Sequence, residues 1–218
     1  GWSAVVVNGF IPPNAFMEFQ QHKIFPVSAE MRTMEHILYT PAPDIVHEAA
    51  GHVPIILESE YSEFLSKVGE YGSKSIFTKK DQEVYKAIRN LSIVKEWPNA
   101  TEEDVVNAEK NLTLTLEKNE TPSEATLISR FHWWTVEYGL VGEVENPEIF
   151  GAGLLSSMGE SRTCLDSDVK KIPLSIDCFN YSYDITSKQP QLFVAKDWEH
   201  LLNVLEEFAS TMAFRVGG

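Results

Sequence analysis

The stretch from Tyr39 to Pro54, YTPAPDIVHEAAGHVP, constrains this chain more than any other, because it sets two histidines and two carboxylates among helix-punctuating residues. Pro43 suits the first turn of a helix, where its missing N–H removes no hydrogen bond, and Asp44 suits the positive end of the helix dipole. Gly51 and Pro54 are expected to stop that helix. His47 and His52 are five residues apart, so on an ideal helix they point about 140° apart and share no face. They converge only if the helix ends between them, and Gly51, which can take a left-handed backbone, supplies such an ending. This spacing separates HEAAGH from the zinc-protease pattern, whose histidines sit four apart on one helical face. A lone histidine such as His22, His36 or His200 reads as a packed or solvated side chain. His47 and His52 together read as half of a metal site.

The other half lies between Phe131 and Glu160, FHWWTVEYGLVGEVENPEIFGAGLLSSMGE. Glu137 sits in a run too aromatic for an exposed face, and a buried carboxylate needs a cation or hydrogen bonds. Two histidines with one carboxylate is the facial ligand set of mononuclear non-haem iron(II) oxygenases, which leaves positions open for oxygen and substrate. The motifs PDIVHEAAGHVP, WWTVEYGLV and FGAGLLSSMGE resemble, in the same order and with matching internal spacing, those of the tetrahydropterin-dependent aromatic amino acid hydroxylases. That resemblance implies His47, His52 and Glu137 as iron(II) ligands and as the catalytic centre, with a tetrahydropterin as cofactor and O2 as co-substrate.

The resemblance also implies two further sets of residues. The family holds its pterin with a loop whose backbone-contact positions fall on Gly9, Phe10 and Ile11, with Phe16 as the stacking aromatic and Glu48 reaching the pterin from beside an iron ligand. A flat heteroaromatic ring needs such an aromatic face, and backbone groups at its polar edge. For the substrate, Arg32 falls where an arginine grips the amino acid carboxylate, a task its planar fork suits. Thr40 helps hold the amino acid, Pro43 walls the iron cleft, and Trp133, Tyr138 and Ser156 border the same cavity. In the family, the residue four before the ligand glutamate is tryptophan in phenylalanine and tyrosine hydroxylases but phenylalanine in tryptophan hydroxylases. Here it is Trp133. Four residues before Gln189 stands Ile185, where tyrosine hydroxylases carry an aspartate and phenylalanine hydroxylases an apolar residue. The expected reaction is therefore hydroxylation of L-phenylalanine to L-tyrosine, with tyrosine or tryptophan as the alternative substrate.

Two rivals stand beside this reading. A zinc hydrolase would use Glu48 as its base, against the five-residue histidine spacing. A metal-stabilised binding module would need a fourth protein ligand, and no cysteine or further histidine motif is placed to supply one.

Composition narrows the classes. At 218 residues and 24.6 kDa the chain reads as a single domain. No apolar run approaches the roughly 18 residues of a membrane span. A formal charge of -14 argues against nucleic acid, which needs clustered Lys and Arg. The two cysteines, Cys164 and Cys178, have no zinc or disulfide spacing, so a reduced, cytoplasmic protein is the default. The chain opens at Gly1, which reads as a fragment or processed chain, with regulatory or oligomerising regions outside it. Its oligomeric state is left open.

Along the chain, the pattern predicts a strand at 4–7, an amphipathic helix at 59–68, helices at 81–95 and 102–118, and strands at 174–176, 183–185 and 192–195. Thr121 reads as the N-cap of a helix running to Tyr138, with Pro122 at its first position and Glu124 closing a capping box. On that helix Trp133 and Glu137, four apart, share a face, and His132, where the family has a tyrosine, points another way as a supporting residue. Ser157 to Glu160 resembles a second capping box, and Asp197 caps a final amphipathic helix. The polar span at about 74–124 is longer than the family's connection and reads as a helical insertion peripheral to the catalytic cup. The expected fold is mostly α with minor β, an α+β catalytic domain with an iron cleft lined by helices.

Overall fold

The computed structural model describes residues 1–8, 11–34, 42–117, 121–183 and 188–217. Strand β1 (Ser3–Val7), helix α1 (Pro13–Gln21) and strand β2 (Ile24–Ser28) form a small unit in which β1 and β2 pair in parallel. After Asp44 come α2 (Ile45–His47), a wide π-helical turn (Glu48–His52) and α3 (Val53–Ile56).

Helix α4 (Ser59–Lys74) runs through the centre of the molecule. Tyr61, Phe64, Leu65, Val68 and Tyr71 recur on it at helical spacing and are almost wholly buried, so one stripe drives its burial. It packs against α1, α3, α7 (Glu124–His132) and α10 (Trp198–Ala209). Contact with α1 is close because of Gly69: a Cβ there would lie 2.4 Å from the Gln21 backbone nitrogen.

Helices α5 (Lys79–Glu96) and α6 (Glu102–Leu116) form a hairpin packed chiefly on itself. Each begins with a complete capping box, Thr78 with Asp81 and Thr101 with Asp104. Asp81 also accepts from the hydroxyls of Ser123 and Thr126 and so ties the hairpin to the start of α7.

The cap of α7 differs from the sequence expectation. Ser123, not Thr121, takes the Thr126 N–H, and Glu124 does not close a box. Its carboxylate instead accepts the backbone N–H groups of Ile76 (3.0 Å) and Ala213 (2.6 Å), partners distant in sequence that local pattern does not reveal.

The second sheet has the order β4 (Asn146–Ile149), β3 (Leu140–Glu143), β6 (Gln191–Ala195), β5 (Lys170–Pro173). β3 pairs antiparallel with β4 and parallel with β6. Pro147 is tolerated because β4 is an edge strand. The expected strand at 174–176 lies earlier, as β5, because Ser175 accepts the Asp177 N–H and starts a 3-10 helix at Ile176–Asn180. The strand at 192–195 is present as β6. Tyr183 is irregular, and residues 184 and 185 lie outside the described residues. Short helices α8 (Ala152–Ser156) and α9 (Glu160–Thr163) follow β4, and α11 (Ala213–Val216) closes the chain. Asp197 caps α10 as expected, accepting the His200 N–H at 2.7 Å. The architecture is thus mostly helical with small sheets.

Candidate metal centre

Asp44 anchors the site. Its Oδ1 accepts the His47 backbone N–H at 2.9 Å and so caps α2. Both carboxylate oxygens also face Arg32, whose Nη2 lies 2.7 Å from Oδ1 and whose Nε lies 2.9 Å from Oδ2. This pair is buried, with side-chain exposures of 6% and 3%. Burial opposes the Asp44 charge, but the Arg32 hydrogen bond and the backbone donors outweigh it and hold the carboxyl below its ordinary value. Pro43 therefore precedes the cap and is exposed, rather than sitting inside the first turn.

The helix does not end at Gly51. It widens: the Val53 N–H donates to the Glu48 carbonyl five residues back, the i→i+5 pattern of a π turn. Pro54, expected to stop the helix, lies in the first turn of α3. Having no N–H for the Ala50 carbonyl, it disfavours a regular α turn there. One extra residue in the turn brings residues five apart to the same side, so His47 and His52 converge without a break. Gly51 serves close packing rather than a left-handed turn: a Cβ there would lie 2.5 Å from the Ala152 carbonyl oxygen of α8.

A second π turn, Trp133–Glu137, presents the carboxylate. The Tyr138 N–H donates to the Trp133 carbonyl at 2.9 Å, again five residues back. The expected α-helix to Tyr138 is thus regular only to His132. Tyr138, not Glu137, shares a side with Trp133, their rings stacking at 4.6 Å, and Glu137 swings toward the histidines. His47 and His52 meet at their Nε2 atoms, 3.1 Å apart. Each Nε2 lies 3.3 Å from a Glu137 oxygen.

Hydrogen bonding fixes which nitrogen of His47 faces this centre. The single hydroxyl proton of Ser156 goes to the Ala152 carbonyl at 2.7 Å, so its oxygen accepts from His47 Nδ1–H at 2.8 Å. With Nδ1–H held by Ser156, Nε2 is the nitrogen turned to the centre, and it binds a metal in the neutral form of the ring. Burial opposes charge on His47 and on Glu137. The histidines nonetheless hold Glu137 well below the usual carboxylate range, and Glu137 raises His47. Three inward donors whose ligand atoms lie within 4.8 Å of one another fit a cation, and no fourth His, Cys, Asp or Glu completes the group among the described residues. Among the described residues the group is thus two histidines and one carboxylate, the facial set that leaves coordination positions open.

The remaining expected residues are placed as follows. Glu48 is buried beside the centre, its Oε2 4.0 Å from His52 Nε2 and without a hydrogen-bond partner; burial raises its carboxyl despite the two histidines. Phe16 lies on α1 and meets His132 edge to face at 5.8 Å. His132 is buried, with Nε2 3.5 Å from Gln20 Nε2, and burial lowers it to about 4 against the pull of Glu137. Ile11 is half-buried ahead of α1. Arg32 Nη1 donates to the Ser156 carbonyl at 3.0 Å, which leaves two guanidinium N–H groups beyond the three bonds described. Ser157 Oγ accepts the Glu160 N–H at 3.2 Å, the first half of the expected box, while the Glu160 carboxylate accepts the Tyr138 hydroxyl at 3.1 Å. Gly9, Phe10, Thr40 and Ile185 lie outside the described residues.

Sequence reasoning missed Tyr183, which stacks on Trp133 at 4.3 Å, and the bond from Ser156 to His47. Neither has a local signal, since each joins residues tens of positions apart.

Comparison with known proteins places these features. The family model described as biopterin-dependent aromatic amino acid hydroxylase matches residues 1–97 and 101–216. A phenylalanine-4-hydroxylase of Chromobacterium violaceum is 28% identical over 206 residues, covering 89% of this chain and 54% of that protein. One of Dictyostelium discoideum is 27% identical over 212 residues, covering 97% and 38%. The chain thus spans about half or less of the length of these relatives. Among solved structures, the Chromobacterium enzyme with bound iron(III) and 7,8-dihydrobiopterin superposes with a TM-score of 0.70 at 24% identity, covering 96% of this chain and 61% of that one. The Legionella pneumophila phenylalanine hydroxylase gives 0.69 at 24% identity, covering 96% and 74%. With nearly its whole described length matched by the family model, the chain belongs to the biopterin-dependent aromatic amino acid hydroxylases.

Proposed function

We propose that this chain is the catalytic part of an iron(II)- and tetrahydropterin-dependent monooxygenase that hydroxylates the ring of an aromatic amino acid, L-phenylalanine to L-tyrosine. The observation that carries the reading is the convergence of His47, His52 and Glu137 on one side of a centre with no fourth protein ligand among the described residues. His47, His52 and Glu137 would hold iron(II) there, which with a reduced pterin and O2 would supply the oxidant for the substrate ring.

The chain's own residues bind and orient. His47 presents Nε2 because Ser156 holds its other nitrogen. Asp44 positions the His47 backbone and Arg32 at once, so the metal side and the carboxylate-gripping side of the pocket share one support. The two guanidinium N–H groups of Arg32 beyond its bonds to Asp44 and Ser156 are, in this reading, offered to the amino acid carboxylate. Phe16, Ile11 and Glu48, with Gly9 and Phe10, make up the pterin side of our assignment. Trp133, Tyr138, Ser156 and Pro43, with Thr40 and Ile185, make up the substrate side. Geometric restraint of metal, pterin and ring in a water-poor pocket needs no dedicated acid or base.

We read α5 and α6 as a helical insertion within one catalytic domain, supported by their packing chiefly on each other. Among the described residues no helix is long and apolar enough to cross a membrane. The two free, buried cysteines suit a reducing compartment, and we assign the chain to the cytoplasm, with a small-molecule substrate and no nucleic acid partner. The direct test is anaerobic loading with iron(II) followed by pterin-dependent O2 uptake with phenylalanine, tyrosine and tryptophan. Phenylalanine should support the highest kcat/KM. No pterin-dependent uptake with any of the three would overturn the reading.

A further inference from the structure

Trp133 has no open aromatic face. Its indole stacks on Tyr138 with centroids 4.6 Å apart and planes 24° apart, and on Tyr183 with centroids 4.3 Å apart and planes 9° apart. Two rings cannot both lie this close over one side of an indole without overlapping, so Tyr138 and Tyr183 sandwich it. Tyr138 is fixed by the π turn and by its bond to Glu160.

Tyr183 arrives from elsewhere, and its segment is tied down. Trp134 Nε1–H donates to the Tyr181 carbonyl at 2.9 Å, Arg130 donates to the Phe179 carbonyl at 3.1 Å, and the Trp134 ring meets Tyr183 edge-on at 6.3 Å. Burial pushes the Tyr183 hydroxyl up to about 12, against the pull of Arg130 and with the push of Glu137, the carboxylate of the metal centre. Tyr183 also lines a cavity of about 560 Å³, together with residues 180–182 and 189–191, of which Trp133 is not part. Tyr183 thus touches both that space and the indole of Trp133.

We propose that Tyr183 determines the ring size this pocket accepts: stacked on Trp133, it takes the volume a second fused ring would need, admitting a benzene ring and excluding an indole. This inference rests on the functional reading above, in which Trp133 borders the substrate pocket. It assigns the limiting wall to a residue two positions before Ile185. Removing the ring uncovers the Trp133 face that Tyr183 stacks on, whereas packing an indole against the intact stack forces the aromatic side chains apart.

The test is equilibrium binding of phenylalanine and tryptophan, by calorimetry, to the anaerobic iron(II)-loaded chain, with circular dichroism to establish folding. Wild type should prefer phenylalanine, and Tyr183→Ala should shift the tryptophan-to-phenylalanine affinity ratio toward tryptophan by about ten-fold or more, the scale at which shape separates apolar groups. Tyr183→Phe keeps the ring and with it the wild-type preference, whatever its effect on affinity. Should Tyr183→Ala fail to fold, Tyr183→Leu, which keeps apolar volume but not the flat ring, is read the same way. Wild type that binds phenylalanine, with a folded truncation of unchanged ratio, overturns this inference alone. Wild type that binds neither amino acid overturns the functional reading as well.

Discussion

The Nε2 atoms of His47 and His52 lie 3.1 Å apart although five residues separate them, because the helix between them widens instead of ending. The widened turn rests on Gly51, whose missing side chain admits the Ala152 carbonyl of α8. Gly51→Ala should therefore push α8 away, destabilise the fold by about 1–3 kcal/mol as overpacking does, and weaken iron(II) binding through Ser156. Urea denaturation and metal titration measure the two effects, and a variant unchanged in both would show that α8 yields freely.

Ser156→Ala removes the group that holds His47 Nδ1–H while leaving all three inward donors in place. Loss of such a partner lowers metal affinity by about 10–100-fold. Cobalt(II) titration followed in the visible range should show this weakening with the far-ultraviolet spectrum intact. Unaltered affinity would mean that packing alone orients the ring.

Asp44→Ala leaves Arg32 buried without its partner and uncaps α2, so it should destabilise by about 3–5 kcal/mol. The pH dependence has a definite sign. The Asp44 carboxyl is held below its unfolded value, so its contribution is complete above about pH 4 and is lost as pH falls through the lower, folded value. Urea midpoints of wild type should drop on acidification below about pH 4, and Asp44→Ala should lose part of that drop. Parallel pH profiles would exclude Asp44 as a contributor.

Much of the candidate site was legible in the sequence because its residues sit in contiguous motifs: HEAAGH holds both histidines, and the aromatic run holds Glu137, which is half-buried rather than buried. The fold class and the strongly amphipathic α4 and α10 followed from periodicity. What was not legible depends on contacts across the chain. A π turn differs from an α turn by one residue, and its stabilisation at Gly51 comes from Ala152, about a hundred positions away. The cap of α7 was misplaced because Glu124 bonds to Ile76 and Ala213 rather than within its own turn. Tyr183 reaches Trp133 from outside any regular element, so no period marks it.

The α5–α6 hairpin packs chiefly on itself, with Asp81 binding it to α7. Replacing residues 79–116 with a short linker should leave iron(II) binding and pterin-dependent turnover in place. Turnover lost with metal retained would make the hairpin a cover for the pocket, and metal lost as well would make it a support of the centre.

The central claim is that His47, His52 and Glu137 hold one metal ion. Anaerobic equilibrium dialysis against iron(II) should find stoichiometric metal on the wild-type chain. His47→Ala, His52→Ala and Glu137→Ala should each lose it while their circular dichroism stays that of the folded protein, since the aromatic core does not run through the metal. Near-stoichiometric iron on any one of the three variants would contradict the account.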